Sequence, residues 1–429
     1  MKVSYSQNEK WKNYDTEVSK VYIFLIDENK NIPINGEKTL ASRKDITKWQ
    51  LIKYKEYTLP KGKHTLSIKV GSKKTDYGTP NIDYIDFKTQ EIKEAPIEPD
   101  INDMPSNDFH TFLQYQYIID DIDNIENYVC GVEDLSRPKG NILDFSDSVK
   151  ENSDSYVVQI SSSKYFNTSD TKTIENLNKT QYILKNLKLG QTIFYRGGIN
   201  KNDMKNSKVY ELTVNALAPR NVDIPGVDNA RDIGGVKTTL VENGIINQGL
   251  YFRSAKIDPI KKEGKKIMTE DLGIKVEIDL REASENKGPY VDGVEYHPIS
   301  IPSDSELSKF DDFKEEYYKV FDLISKADKN PVILHCSAGA DRTGLMTFAL
   351  MTLLGCEYND MYRDYLFTNF GAQGSRDNSD FTKWWKKLMR LEGETTAEKS
   401  KNWLMSKKIE EEKLEHIREI FIDNYKKKK

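Results

Sequence analysis

The residues with the most chemical potential stand together, in the run His335-Cys336-Ser337-Ala338-Gly339-Ala340-Asp341-Arg342-Thr343-Gly344. A loop this short that enters a helix aims several backbone N–H groups at one concavity, and the helix dipole adds partial positive charge there. Phosphate suits such a cradle. The same field stabilises a thiolate at the start of the loop, so Cys336 can attack phosphorus directly. Arg342, six residues on, can return to the mouth and offer a planar two-pronged donor to phosphoryl oxygens. Ser337, Ala338, Gly339, Ala340, Asp341 and Arg342 are therefore the expected phosphate-binding loop. Gly339 allows a backbone turn that a side chain would obstruct. Thr343 is expected to hydrogen-bond the Cys336 sulfur and ease its departure in a second step. His335 is expected to brace the loop through hydrogen bonds behind it rather than to act as a base.

Chemistry of this kind needs a strand before the loop and a helix after it. Pro331-Val332-Ile333-Leu334 reads as a short buried strand, and Thr343 to Leu354 as an apolar helix stopped by Gly355. Upstream, Phe313, Tyr317, Val320, Phe321 and Ile324 fall on one helical stripe. After Ala218-Pro219-Arg220 the whole texture is one of short strands alternating with amphipathic helices, which predicts an α/β layer fold over 219–429.

At these residues the chain resembles the protein tyrosine phosphatase superfamily, whose signature loop is Cys-x5-Arg. Further segments single out the bacterial branch of tyrosine and lipid phosphatases: Asn229-Ala230-Arg231-Asp232-Ile233-Gly234-Gly235, Gly249-Leu250-Tyr251-Phe252-Arg253-Ser254, and Leu272 to Arg281. Asp364-Tyr365-Leu366 with Thr368-Asn369, and a closing helix near Glu411 to Ile422, also fit. The resemblance implies a two-step reaction, phosphoryl transfer to cysteine and hydrolysis of the phosphocysteine, with no metal and no cofactor. A leaving oxygen needs a proton donor. Relatives in this branch use the aspartate before the loop arginine, which maps to Asp341. More distant phosphatases use an aspartate on a separate loop, for which Asp304 is the best-placed alternative, although a helix N-cap is its simpler role. Arg231 and Asp232 are expected to form a buried pair that props the site, and Asp279 with Arg281 another.

Substrate choice turns on Ala340. Branch members acting on phosphoinositides often carry lysine there, where a second cation can meet a polyphosphorylated ring. Its absence points to phosphotyrosyl proteins, with dual specificity open, and to other small phosphomonoesters. An inositol polyphosphate or phosphoinositide phosphatase is the enzyme alternative. A glycan-binding surface protein with an inactive phosphatase domain is disfavoured, because Cys336, Asp341 and Arg342 are all intact.

The first half of the chain reads differently. Residues 1–95 are β-rich: Leu66, Ile68 and Val70 alternate with polar residues, Val21 to Ile26 is an apolar strand, and Asn81 to Phe87 closes the block. This block resembles the closing strands of carbohydrate-binding β-sandwich modules, shortened at its start, and makes a glycan a candidate partner. The acidic, proline-containing segment Glu94 to Asp100 is the expected linker. Strands continue over 101–218, with Tyr156, Val158 and Ile160 on one face and Tyr210, Leu212 and Val214 on another. Asn186 to Tyr195 resembles the late turn and strand of a fibronectin type III-like sandwich. The acidic stretch Asp120, Asp121, Asp123 and Glu126 lacks the glycine of a calcium-binding loop and reads as a solvated face. The expected architecture is thus two N-terminal β-sandwiches followed by an α/β phosphatase-like domain.

Composition removes other classes. In 429 residues, 64 basic side chains nearly balance 68 acidic ones, leaving a net charge of −4 that offers nucleic acid no attractive field. No run is long and apolar enough for a membrane span, and the start at Met1 lacks the hydrophobic stretch of a signal peptide. The three cysteines, Cys130, Cys336 and Cys356, are too few and too scattered for a disulfide framework or a metal cluster; Cys130 and Cys356 read as inert buried thiols. Sandwich modules ahead of an enzyme suggest a secreted or cell-surface bacterial protein, whereas a cytoplasmic protein would read the same from Met1 onward.

Overall fold

The structure is a computed structural model. It describes the backbone of seven strands between Lys2 and Asp86, and residues 134–426 other than Asn215, Leu217, Lys287, 303–312, Ser375 and 377–378. The chain divides into two compact units, Met1–Ile97 and Glu98–Lys429. The acidic linker, the stretch Asp120 to Glu126, Cys130 and Asp304 lie outside the described residues, as do the side chains of the first unit on which a glycan would depend.

The first unit contains β1 (Lys2–Ser6), β2 (Lys20–Asp27), β3 (Lys30–Pro33), β4 (Lys38–Thr39), β5 (Gln50–Lys53), β6 (Thr65–Gly71) and β7 (Asn81–Asp86). All pairings are antiparallel, in one sheet ordered β5-β1-β7 and another in which β2 pairs with β3, β4 and β6. The alternating Leu66, Ile68 and Val70 stand opposite Leu25, Ile23 and Val21 of the apolar run.

The second unit begins with β8 (Asn141–Asp144), β9 (Tyr156–Ser161), β10 (Lys172–Leu177), β11 (Gln181–Leu184), β12 (Thr192–Gly198) and β13 (Tyr210–Thr213), with α1 (Lys201–Asn206) before the last. An antiparallel sheet ordered β10-β9-β12-β13 is joined by the pair β11-β8. Leu143 and Phe145 pack with Tyr156, Val158, Ile160, Ile193 and Tyr195 in one apolar cluster, and Tyr210 and Leu212 lie against it half-buried. The Asn200 side chain caps α1 by accepting from the Asn202 and Asp203 amides.

From Arg220 onward a six-stranded sheet takes over, made of β14 (Arg220–Asn221), β15 (Arg231–Asp232), β16 (Tyr251–Ser254), β17 (Val276–Asp279), β18 (Glu295–Pro298) and β19 (Val332–His335). Its order is β14-β15-β16-β19-β17-β18, parallel from β16 to β18 and antiparallel at the β14 edge. Around it stand α2 (Lys262–Lys266), α3 (Lys314–Ile324), α4 (Asp341–Leu353), α5 (Tyr358–Leu366), α6 (Ser379–Met389), α7 (Thr396–Ser406) and α8 (Glu411–Phe421). This is the α/β layer arrangement expected from the sequence.

Two boundaries differ from the sequence reading. The central strand β19 runs Val332–His335 and excludes Pro331; proline has no N–H to donate to the ladder, and its carbonyl instead accepts from the Lys275 and Val276 amides. Helix α4 starts at Asp341, two residues early, which places Asp341 in its first turn where the helix dipole favours an acid. Every residue of α4 from Arg342 to Leu353 is buried, so α4 is a core helix buried on all sides. Gly355, at φ 70°, follows its C-terminal end in the left-handed conformation. On α3, Tyr317, Val320, Phe321 and Ile324 are buried on one stripe, with Phe313 just before it.

Arg231 and Asp232 are both buried, but each meets a different partner. Successive residues of a strand point to opposite faces, so these neighbours in β15 cannot form the pair expected of them. Arg231 Nε donates to Asp364 Oδ1 on α5 at 2.7 Å, and Asp232 accepts from Arg220 at 2.8 Å and from the amides of Gly234 and Gly249. Arg253 of β16 also pairs with Asp364. Burial alone would raise the Asp364 pKa, but the two guanidiniums override it and hold the carboxyl below its usual range. Because the folded value is depressed, this stabilisation is complete above the ordinary carboxylate pKa, near 4, and is lost as pH falls through the lower folded value. Asp364→Asn should cost about 3–5 kcal/mol in urea unfolding at pH 7, since it leaves two buried guanidiniums short of charge, and the gap from the parent should narrow below pH 4.

Candidate active site

Strand β19 is buried along its whole length between β16 and β17. It delivers the chain to Cys336, whose side chain is buried, and α4 begins five residues later. Gly339 makes the turn between them at φ 68°. A Cβ at that position would stand 2.2 Å from the Ser254 carbonyl oxygen, which is backbone and cannot move aside. Three successive carbonyls of the loop are tied from outside: Ser337 O by the Lys256 amide at 3.1 Å, Ala338 O by Asn229 Nδ2 at 3.0 Å, and Gly339 O by Arg253 Nη2 at 2.6 Å. With the carbonyls engaged there, the loop amides are the groups left for an anion.

Arg342 curls back from the first turn of α4. Its Nη1 lies 3.2 Å from the Ile301 carbonyl and 3.2 Å from Glu285 Oε2, while Nη2 donates to Ser337 Oγ at 3.2 Å. Ser337 Oγ in turn donates to Glu285 Oε1 at 2.7 Å. Ser337 and Arg342 thus meet one carboxylate. The Ser337 hydroxyl, and after it Arg342, hold the Glu285 carboxyl below its usual range against modest desolvation. Glu285 was missed by the sequence reading, because it lies 57 residues before Arg342 with no motif to announce it.

Asp341 gives both carboxylate oxygens to Arg376, at 2.8 Å from Nε and 3.1 Å from Nη2. Burial works against the Arg376 cation, yet the Asp341 bonds raise its pKa on balance. The Arg376 backbone is set by Asn369, whose side chain accepts from the Arg376 amide and donates to its carbonyl. Arg376 was also missed by the sequence reading, as a lone arginine in a polar loop carries no local signal.

His335 lies fully buried behind the loop, with Nε2 3.1 Å from Glu277 Oε1 and Nδ1 3.8 Å from Asp279 Oδ1. Asp279 pairs with Arg281 at 2.8 Å, and Arg281 also reaches Asp258. Thr343 differs from expectation: its Oγ1 is buried without a hydrogen-bond partner, so it does not bond the Cys336 sulfur in this structure. Ala340 is buried and brings no charge. Burial pushes the Cys356 thiol well above its ordinary pKa, as suits an inert core cysteine. Among the described residues no group of three His, Cys, Asp or Glu side chains is placed to hold a metal, and no helix is long and apolar enough to cross a membrane.

Residues 222–427 match the family model described as "Tyrosine phosphatase family". A tyrosine-protein phosphatase of Nostoc commune is 28% identical over 132 residues, covering 25% of this chain and 45% of that protein. The chain thus spans about half the length of the curated relative it matches. Among solved structures, the core catalytic domain of the PP-IP phosphatase SIW14 from S. cerevisiae, in complex with citrate, aligns at 14% identity and a TM-score of 0.25, over 33% of this chain and 91% of that one. TpbA of P. aeruginosa aligns at 15% identity and a TM-score of 0.27, over 38% and 88%. Cys336, its tied loop and Arg342 all lie within the segment of this chain that is similar to that family.

Proposed function

We propose that the chain is a cysteine-dependent phosphomonoesterase acting on phosphotyrosyl proteins and other aryl phosphates. The observation that carries this reading is the loop itself: a buried Cys336 followed by three outward-tied carbonyls and closed by the Arg342 guanidinium. In the first step the Cys336 sulfur forms a bond to phosphorus as the bond from phosphorus to the leaving oxygen breaks, and Asp341 gives that oxygen a proton. In the second step water attacks the phosphocysteine, Asp341 takes a proton from it, and the sulfur leaves as thiolate. Arg342 holds the phosphoryl oxygens through both steps.

Asp341 can carry a proton only if one of its bonds to Arg376 gives way. The alternative proton donor, Asp304, lies outside the described residues. Arg376 also bears on substrate choice. It brings a cation to the neighbourhood where Ala340 brings none, but that charge is offset by Asp341. This favours a phosphomonoester over an inositol polyphosphate, whose several phosphates would need further positive charge.

Cys336→Ser should abolish turnover of p-nitrophenyl phosphate while retaining binding of inorganic phosphate, and unchanged hydrolysis would sink the mechanism. Asp341→Asn should lower kcat by about 10²–10⁴ on an alkyl phosphate and by much less on an aryl phosphate, whose phenoxide departs more readily. Slight and equal losses on both would remove Asp341 as the acid. Turnover of phosphotyrosine peptide, phosphoserine peptide, inositol hexakisphosphate and phosphoinositides under one set of conditions should rank the first highest.

A further inference from the structure

Residues 134–137 precede the segment 222–427 that matches the phosphatase family, yet they run directly behind its loop. Leu135 and Ser136 both donate their amides to the Phe370 carbonyl, and Asp134 bridges to Gly371. Arg137 spans the turn before Asn229, pairing with Asp223 at 2.9 Å and Asp228 at 2.6 Å and donating to the carbonyls of Ile224 and Val227. The Asp134 side chain is 2% exposed, and its Oδ2 accepts from the Asn229 amide at 3.0 Å.

Asn229 is the joint through which this segment reaches the site. It is fully buried and sits at φ 56°, a left-handed conformation that few non-glycine residues adopt. Its side chain is used at both ends: Nδ2 donates to Ala338 O in the loop and to Thr368 Oγ1, and Oδ1 accepts from Arg231 Nη1 at 2.6 Å. A Cβ on Gly371 would meet the Asn229 side chain at 2.6 Å, so Asn229 can lie this close only because residue 371 is glycine. The Asp134 carboxylate therefore holds the backbone of a residue whose side chain fixes the middle carbonyl of the loop.

We propose that Asp134 is a positioning residue of the phosphate loop, so that the segment ahead of the family domain completes its active site. The inference rests on the phosphatase reading for its kinetic effect, and on geometry alone for its effect on the loop. Without the carboxylate the Asn229 amide is buried with no acceptor, its left-handed turn relaxes, and Ala338 O loses its donor. The loop amides then no longer converge on one phosphoryl group. Binding suffers in ground state and transition state alike, so KM rises while kcat holds.

The test uses the full chain. Asp134→Ala should raise KM for p-nitrophenyl phosphate about tenfold with kcat within about twofold. Asp134→Asn keeps a neutral acceptor and should raise KM only about threefold, which also keeps the test open if the alanine variant fails to fold. Amide hydrogen exchange over 336–341 should quicken in either folded variant, a readout that does not depend on turnover. An unchanged KM with unchanged exchange in a folded variant overturns the proposal. Loss of kcat and KM effects in step with a fall in melting temperature, with loop exchange unaltered, would also overturn it, by making Asp134 merely structural. If the parent chain hydrolyses nothing, the phosphatase reading fails by itself, and loop exchange in the variants still decides the role of Asp134.

Discussion

The turn after Cys336 passes so close to strand β16 that no side chain fits between them, and this close approach governs the rest of the site. Gly339 meets that constraint by lacking a Cβ and by adopting φ 68°. The approach also lets Arg253 of β16 reach the Gly339 carbonyl and the Lys256 amide reach Ser337 O. A turn held further off would leave those carbonyls free to rotate inward, where their dipoles would repel the anion that the amides attract.

The supports of the loop are themselves supported by charge. Arg231 and Arg253 share the Asp364 carboxylate from α5, and Arg231 also braces Asn229. Buried charges are tolerable only when paired and hydrogen-bonded, so the three side chains act as one unit and couple β15, β16 and α5. On the other side of the loop, Glu285 meets Arg342 and Asp341 meets Arg376. In the proposed reaction the Arg342 guanidinium is drawn from Glu285 towards the phosphoryl group.

Contacts across the change of texture at residue 218 are polar and numerous. Lys185 pairs with Asp223, Arg220 donates to the carbonyls of Asn186 and Leu187, and Leu189 exchanges hydrogen bonds with Gln248. The β-rich region from 134 to 214 is therefore fastened along the edge of the α/β sheet, and residues 134–137 continue that edge to Asn229. Such directional bonds set an orientation more firmly than an apolar contact of the same size would, because each fails if its partners shift by an ångström.

Much of this was legible in the sequence, because the features concerned are local. The order strand, loop, helix follows from an apolar run, a glycine and a second apolar run, and the roles assigned to Cys336 and Arg342 follow from residue chemistry at a spacing that one turn can close. Even the boundary errors at Pro331 and Asp341 were of one or two residues. What the sequence could not disclose were partners brought together by the sheet. The pairing of Arg231 and Asp232 looked natural in a string and is impossible in a strand, where neighbours face opposite ways. Glu285, Arg376, Asp364 and Asp134 reach the site from 57, 35, 133 and 95 positions away from their partners Arg342, Asp341, Arg231 and Asn229. By itself the sequence determined where a short loop joins a buried strand to a core helix and which side chains it offers there, since that depends on local residue types. Only the tertiary structure decided which charges stand beside them, because strand order and helix packing place residues together without regard to their distance along the chain.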